Sequence, residues 1–197
     1  MFEVKTIFKL FFYFFYTKTK NSSYFRTKLL TMDFNYAFLF VAALIPLVIG
    51  SVWYHPKVFG NAWAKVADMT EEKMKTGNML VIFGLTYVLS VVAAFVLSML
   101  VIHQAHIYSV LMNEPSLMEE GSELNLYVKD FMAKYGTNFR TFKHGAFHGL
   151  FTGLFFAMPV LAINAMFERK GFKYVAINAG YWMVSLALMG GILSAMM

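Results

Sequence analysis

A mostly apolar stretch, from Lys143 to Phe167, constrains the fold more than any other feature of the chain. It reads KHGAFHGLFTGLFFAMPVLAINAMF, and it is long enough to cross a bilayer as one helix, which takes about 20 apolar residues. Phe147, Phe151 and Phe155 recur every four residues, so they should share one face that suits lipid or bulky packing. Small residues recur at the same spacing on another face, where they let a second helix approach closely: Gly145, Gly149, Gly153 and Ala157.

The composition of the whole chain also indicates a membrane protein. Hydrophobic residues make up 59% of the 197 positions and charged residues 14%, whereas soluble domains have about half and a quarter. The chain has no cysteine, which excludes disulfides, thiolate metal sites and cysteine nucleophiles. The net charge of +6 does not indicate a nucleic-acid partner, because the lysines and arginines lie beside apolar runs, where they set membrane orientation.

Four apolar runs predict an all-α membrane protein with four transmembrane helices in a compact antiparallel bundle. The predicted spans cover residues 36–54, 79–102, 145–167 and 174–197. Pro46 removes a backbone hydrogen bond inside the first span and predicts a kink there. The second and fourth spans carry further small residues suited to close helix contact: Ser90, Ala94, Ser98 and Gly191.

The connector between the second and third spans contains a predicted amphipathic helix. Ser122 can cap its start and Gly136 can end it. We expect this interfacial helix to lie on the membrane or to cap the bundle. Its apolar residues follow the i, i+3, i+4, i+7 pattern of one helix face: Leu124, Tyr127, Val128, Phe131, Met132 and Tyr135.

Residues 1–31 differ in composition from the rest of the chain. Their apolar run, Ile7–Tyr16, is only ten residues long and is too short to span a bilayer. A basic start before a short apolar run also resembles a signal peptide, but no small-x-small cleavage site follows it. An interfacial anchor is a further alternative. We expect translation to start at Met32, so that residues 1–31 are an extension and residues 32–197 form the four-helix transmembrane domain.

The expected orientation depends on that start. The connectors on one side, 55–78 and 168–173, carry seven lysines and arginines, whereas the second connector, 103–143, carries four. If translation starts at Met32, the positive-inside rule puts both termini outside. Residues 1–31 would add six basic residues to the side of the second connector. That side would then carry ten basic residues against seven, and the expected orientation would reverse.

Histidines should come together where the second span ends and the third begins, because these points lie on the same side of the membrane. His144 and His148 are four residues apart on one helix, and His103 follows the neighbouring span. Such a group can share a metal ion or bind haem. Histidines solvated in headgroup water, bonded to backbone or lipid phosphate, are the commoner arrangement at a membrane edge. No cofactor is therefore predicted, and the metal site is a secondary hypothesis.

Two asparagines, Asn164 and Asn178, should lie at similar depth because a short turn joins the third and fourth spans. With Glu168 and Arg169 at its mouth, this pair can form a polar pocket for a small solute or ion. Interhelical hydrogen bonding worth about 1 kcal/mol is the simpler interpretation. No charged residue lies deep in any span, where transport sites usually have one.

Several phrases of the sequence are similar to a known family. They are WYHPKVFGNAW at the end of the first span, NAMFERK at the end of the third, and INAGYW followed by MGGIL in the fourth. In combination they resemble the bacterial membrane proteins catalogued as domain of unknown function 1761, over roughly residues 32–197. The resemblance implies a multi-pass protein of the bacterial plasma (inner) membrane, and it implies no activity.

No catalytic motif stands out, which favours a non-enzymatic role. We expect a small integral membrane protein that acts in the lipid bilayer by association, with itself as a homo-oligomer or with another membrane protein. A small transporter or channel subunit, with its polar site near the third and fourth spans, is the first alternative. A histidine-based metal or haem protein is the second.

Overall fold

The computed structural model describes residues 34–197, and within that range the chain consists of helices joined by turns and short loops, with no β-strand. The boundary expected at Met32 and the extension expected over residues 1–31 lie outside the described residues. The all-α prediction is confirmed for the described part of the chain. Three helical segments there are long and apolar enough to cross a membrane: Met79–Val101, Phe142–Phe167 and Phe172–Met196.

The first predicted span is divided into two helices, α1 (Ala37–Ala42) and α2 (Ile45–Trp53). The break precedes Pro46, which has no backbone N–H to donate to the preceding turn. After α2 the chain bends by 57° into a π-helical turn, Pro56–Gly60, and α3 (Asn61–Val66). This bent pair qualifies as a membrane span only if its two halves are counted together.

The second predicted span is α5 (Met79–Val101), which follows the short α4 (Glu71–Lys75) of the first connector. α5 ends because Ile102 leaves the helical region, with φ −107° and ψ 88°. α6 (Gln104–Val110) starts almost at once. His103 therefore lies at the junction between two helices.

The predicted amphipathic helix is α7 (Glu123–Tyr135). Its ends are those expected, because the Ser122 side chain accepts a hydrogen bond from the backbone N–H of Asn125 and Gly136 is the C-cap residue. On its apolar face Val128 is buried, and the other apolar members are half-buried or exposed. Its location on a membrane surface stays a prediction.

The third predicted span is α8 (Phe142–Thr152) followed by a π-helical turn, Gly153–Ala157, and α9 (Met158–Phe167). The turn widens just before Pro159, which cannot donate the hydrogen bond of a regular helix. The fourth predicted span is α10 (Phe172–Met196), which runs without a break.

α10 is the most buried of the three long helices. In its most apolar stretch 44% of residues are buried, compared with 17% in α5 and 11% in the α8–α9 segment. It packs against α1, α2, α5, α8 and α9. The approach to α8 is closest, since a Cβ atom on Gly145 would collide with the carbonyl oxygen of Gly190, and one on Gly149 with that of Leu186.

The remaining residues predicted for helix packing lie on several helices. Gly153 faces the backbone of Met183 on α10, and Gly191 faces the ring of Phe142. Ala157 is half-buried. The small residues on α5 are buried: Ser90, Ala94 and Ser98. The phenylalanines predicted to share another face are exposed: Phe147, Phe151 and Phe155.

α1 and α2 run antiparallel beside α10 along most of its length. At one end the backbone N–H of Asn35 donates to the carbonyl oxygen of Met197 at 3.0 Å. At the other end the indole N–H of Trp53 donates to the carbonyl oxygen of Ile177, also at 3.0 Å. Ile177 and Met197 are about 30 Å apart along a helix with a rise of about 1.5 Å per residue.

Candidate metal centre

Three histidines converge where α5 ends and α8 begins. His103, His144 and His148 each offer one ring nitrogen, and these three nitrogens lie within 4.8 Å of one another. All three side chains are half-buried. Two separate parts of the chain thus bring their imidazoles to one place, which is the geometry that a shared metal ion requires.

The local structure explains how the histidines meet. Thr141 caps α8 by accepting a hydrogen bond from the backbone N–H of His144 at 3.3 Å. His144 and His148 are one helical turn apart, so their rings lie on one face with centroids 4.5 Å apart. The ring of His103 reaches this face from the α5–α6 junction, with its centroid 5.0 Å from that of His144 and 4.9 Å from that of His148.

The protonation of the cluster is constrained by its geometry. Nε2 of His103 lies 2.8 Å from Nε2 of His144. One nitrogen must donate and the other accept, so at most one of these two rings carries a positive charge. Burial lowers the pKa of His103 below its ordinary value of 6.5, and the nearby His144 and His106 lower it further. His103 therefore favours the neutral form that a metal ligand needs.

The three imidazoles fit a single transition-metal ion. A tetrahedral zinc with Zn–N bonds of about 2.0–2.1 Å holds its ligand nitrogens about 3.3 Å apart. The contact of 2.8 Å between His103 and His144 would therefore open slightly, and the three nitrogens already lie within 4.8 Å of one another. A haem between these two rings would need room for its macrocycle, so their direct contact favours an ion.

The surroundings of the cluster are aromatic. The ring of Phe139 lies beside that of His144, with centroids 5.0 Å apart, and the ring of Phe147 lies 5.6 Å from that of His148. His106 is exposed, and its ring centroid is 6.3 Å from that of His103. Within residues 34–197 no carboxylate belongs to this group of close ligand atoms. A fourth coordination position would be left for water or a solute.

The residues of the predicted polar pocket lie in different environments. Asn178 is half-buried, accepts a hydrogen bond from the hydroxyl of Tyr54 at 2.9 Å and donates to the carbonyl oxygen of Tyr174 at 2.8 Å. Asn164 is exposed. The other two predicted members are also exposed: Glu168 and Arg169. The pocket stays a prediction. The side chain that bonds to Asn178 is Tyr54, at the end of α2, and not Asn164 on α9.

Some contributors to these sites were not found from the sequence. The hydroxyl of Tyr181 donates to the carbonyl oxygen of Pro46 at 2.9 Å. Gln104 adjoins the histidine cluster because its side chain donates to the carbonyl oxygen of Asn138, and Phe139 adjoins it because its ring lies beside that of His144; both contacts depend on loop conformation. Proximity to His103 and His144 in the sequence was the only signal for them.

These observations define the class of the protein, since three apolar helices of membrane-spanning length indicate a helical membrane protein. The family described as protein of unknown function, DUF1761, has a sequence model that matches residues 37–194, and the chain belongs to this family. The resemblance noted in the sequence is thereby confirmed. No curated protein and no solved structure is detectably similar to the chain.

Proposed function

We propose that this protein is a four-span membrane protein that binds one divalent transition-metal ion through His103, His144 and His148. The observation that carries this proposal is the convergence of three ring nitrogens within 4.8 Å. Three imidazoles suit zinc, copper, nickel or iron better than calcium or magnesium, which prefer oxygen ligands. Zinc is the reference ion for the tests below.

The path of α1 and α2 supports a fourth span. They lie beside α10 from Met197 to Ile177, a distance close to the bilayer core of about 30 Å. A re-entrant loop would return to the side on which it started. The ion pair of Asp68 with Lys170 joins the first and third connectors, which share a side whether the chain has three spans or four. The family resemblance supports the bacterial plasma membrane as its location.

Metal binding would join two helices at the membrane edge. His103 belongs to the α5–α6 junction, while His144 and His148 belong to α8, whose start is held against α10. An ion bound by all three would fasten the end of α5 to the start of α8. The small residues of α8 that favour helix contact are already occupied by α10 within the chain, so they give little support to association with a second protein.

The test is zinc binding to the full chain in detergent micelles, after dialysis against a chelator. We expect one zinc ion per chain in native mass spectra and a rise in the thermal midpoint that chelator reverses, because a ligand that binds only the folded state stabilises it. Replacing any one of His103, His144 and His148 by glutamine should weaken zinc binding by about 100-fold or more. Even mutations of residues that only orient a ligand lower metal affinity by about 10–100-fold.

The other two histidines provide matched controls. His106→Gln changes a neighbouring exposed histidine, and His55→Gln changes one that caps the π-helical turn after α2. Each should change zinc affinity far less than replacement of a cluster histidine does, because neither belongs to the group of close ligand atoms. Zinc binding that survives replacement of all three cluster histidines, or no binding by the wild-type chain, would refute the proposed function.

A further inference from the structure

Phe139 has an unusual backbone conformation beside the histidine cluster. Its φ of +62° lies in the left-handed region, which a bulky residue adopts only where surrounding structure holds it. Its ring lies against that of His144, with centroids 5.0 Å apart and planes inclined by 33°. A strained residue is thus in direct contact with a proposed metal ligand.

Contacts with α10 hold one side of this turn. The hydroxyl of Ser194 donates to the carbonyl oxygen of Phe139 at 3.2 Å. Nε of Arg140 donates to the carbonyl oxygen of Ser194 at 3.0 Å. Ser194 is fully buried near the C-terminal end of α10, so the turn is fixed to that end of the helix.

A contact with α6 holds the other side. The side chain of Gln104 is buried, and its Nε2 donates to the carbonyl oxygen of Asn138 at 2.8 Å. Gln104 directly follows His103 in the chain. The turn 138–140 is therefore tied to the α5–α6 junction, which carries His103. The same turn leads into α8, which carries His144 and His148.

We propose that Phe139 is a positioning residue of the metal centre, whose ring holds the imidazole of His144 in the orientation that faces His103. This inference rests on the proposed metal-binding function. A turn that only needs a left-handed residue is served with less strain by glycine. An aromatic residue at this position therefore has a use for its side chain, and the side chain contacts His144.

The test replaces Phe139 by glycine and by tyrosine in the full chain. Phe139→Gly suits the backbone but removes the ring, and we expect zinc affinity to fall about tenfold, as for other groups that orient a metal ligand. Phe139→Tyr keeps the ring and should bind zinc like the wild type. Arg169→Gly is the matched control, because Arg169 also has a left-handed φ, of +59°, and is exposed in the connector before α10.

A role in folding alone predicts a different result. If Phe139 only stabilised the turn, Phe139→Gly would lower the thermal midpoint of the metal-free protein. We expect its midpoint to change no more than that of Arg169→Gly, while zinc affinity falls only in Phe139→Gly. Diethyl pyrocarbonate modification without metal gives a second readout, in which His144 should react faster in Phe139→Gly and His55 should not.

The outcomes separate the two proposals. Equal zinc affinity of Phe139→Gly and the wild type overturns the positioning role and leaves the metal site intact. An equal loss of affinity in Arg169→Gly also overturns it. If the wild-type chain binds no zinc, the proposed function fails and the positioning role fails with it, whatever the modification rates of His144.

Discussion

Single side chains join α2 to α10 at the end opposite the histidine cluster. Tyr54 donates to Asn178, and the ring of Tyr54 lies 5.2 Å from that of Tyr181. Asn178 uses its amide nitrogen for the carbonyl oxygen of Tyr174. Both ends of this amide therefore have a partner, which suits a half-buried polar group that is shielded from water.

Replacing Asn178 by alanine should destabilise the protein by about 1 kcal/mol or more, because the hydroxyl of Tyr54 loses its acceptor in a half-buried position. Asn164→Ala is the matched control, since that side chain is exposed, and it should change stability by less than about 0.5 kcal/mol. Unfolding by denaturant in mixed micelles measures both. Equal effects of the two substitutions would count against the Tyr54–Asn178 bond and in favour of the predicted polar pair.

Helices α8 and α10 form the closest helix contact described for this chain. Glycine permits it, because backbone atoms of α10 occupy the space where side chains of Gly145 and Gly149 would lie. Without a strong hydrophobic force between helices in lipid, such close van der Waals contact is a main source of association. The same contact fixes the start of α8 and therefore the direction of His144 and His148.

Gly149→Ala should destabilise the protein by about 1–3 kcal/mol, as overpacking does in a well-packed interior. The added methyl group would meet the carbonyl oxygen of Leu186. Gly84→Ala provides the control on α5, where nothing lies within 4 Å of the added Cβ atom. It should be neutral or stabilising, because alanine favours helix over glycine by about 1 kcal/mol. Thermal unfolding in one detergent compares them, and two losses of similar size would contradict the packing argument.

For the molecule as a whole, the proposed four-span topology predicts which segments share a side. The chain contains no cysteine, so single cysteines can be labelled without background. Asn35→Cys and Glu119→Cys should react with a membrane-impermeant maleimide from the outside of intact cells. Glu72→Cys and Gly171→Cys should react only after permeabilisation. If Asn35→Cys instead behaved like Glu72→Cys, α1 and α2 would form a re-entrant loop and the chain would have three spans.

The helical membrane class, the family and most helix limits could be predicted from the amino-acid pattern, because apolar length and cap residues are local properties. Ser122 and Gly136 delimit α7 as predicted, and residues 79–102 differ from α5 by one position. The division of the first span before Pro46 and the 57° bend after α2 went beyond the expected kink, since bend angles depend on packing.

Which polar groups meet depends on the folded arrangement of the helices. The sequence put His103, His144 and His148 on one side of the membrane, but their ring nitrogens converge because glycines let α8 approach α10 and Gln104 ties the α5–α6 junction to the turn at Asn138. Likewise, the side chain of Asn178 accepts a hydrogen bond from Tyr54 and does not pair with Asn164. These pairings depend on helix rotation and loop conformation, which local sequence patterns do not encode.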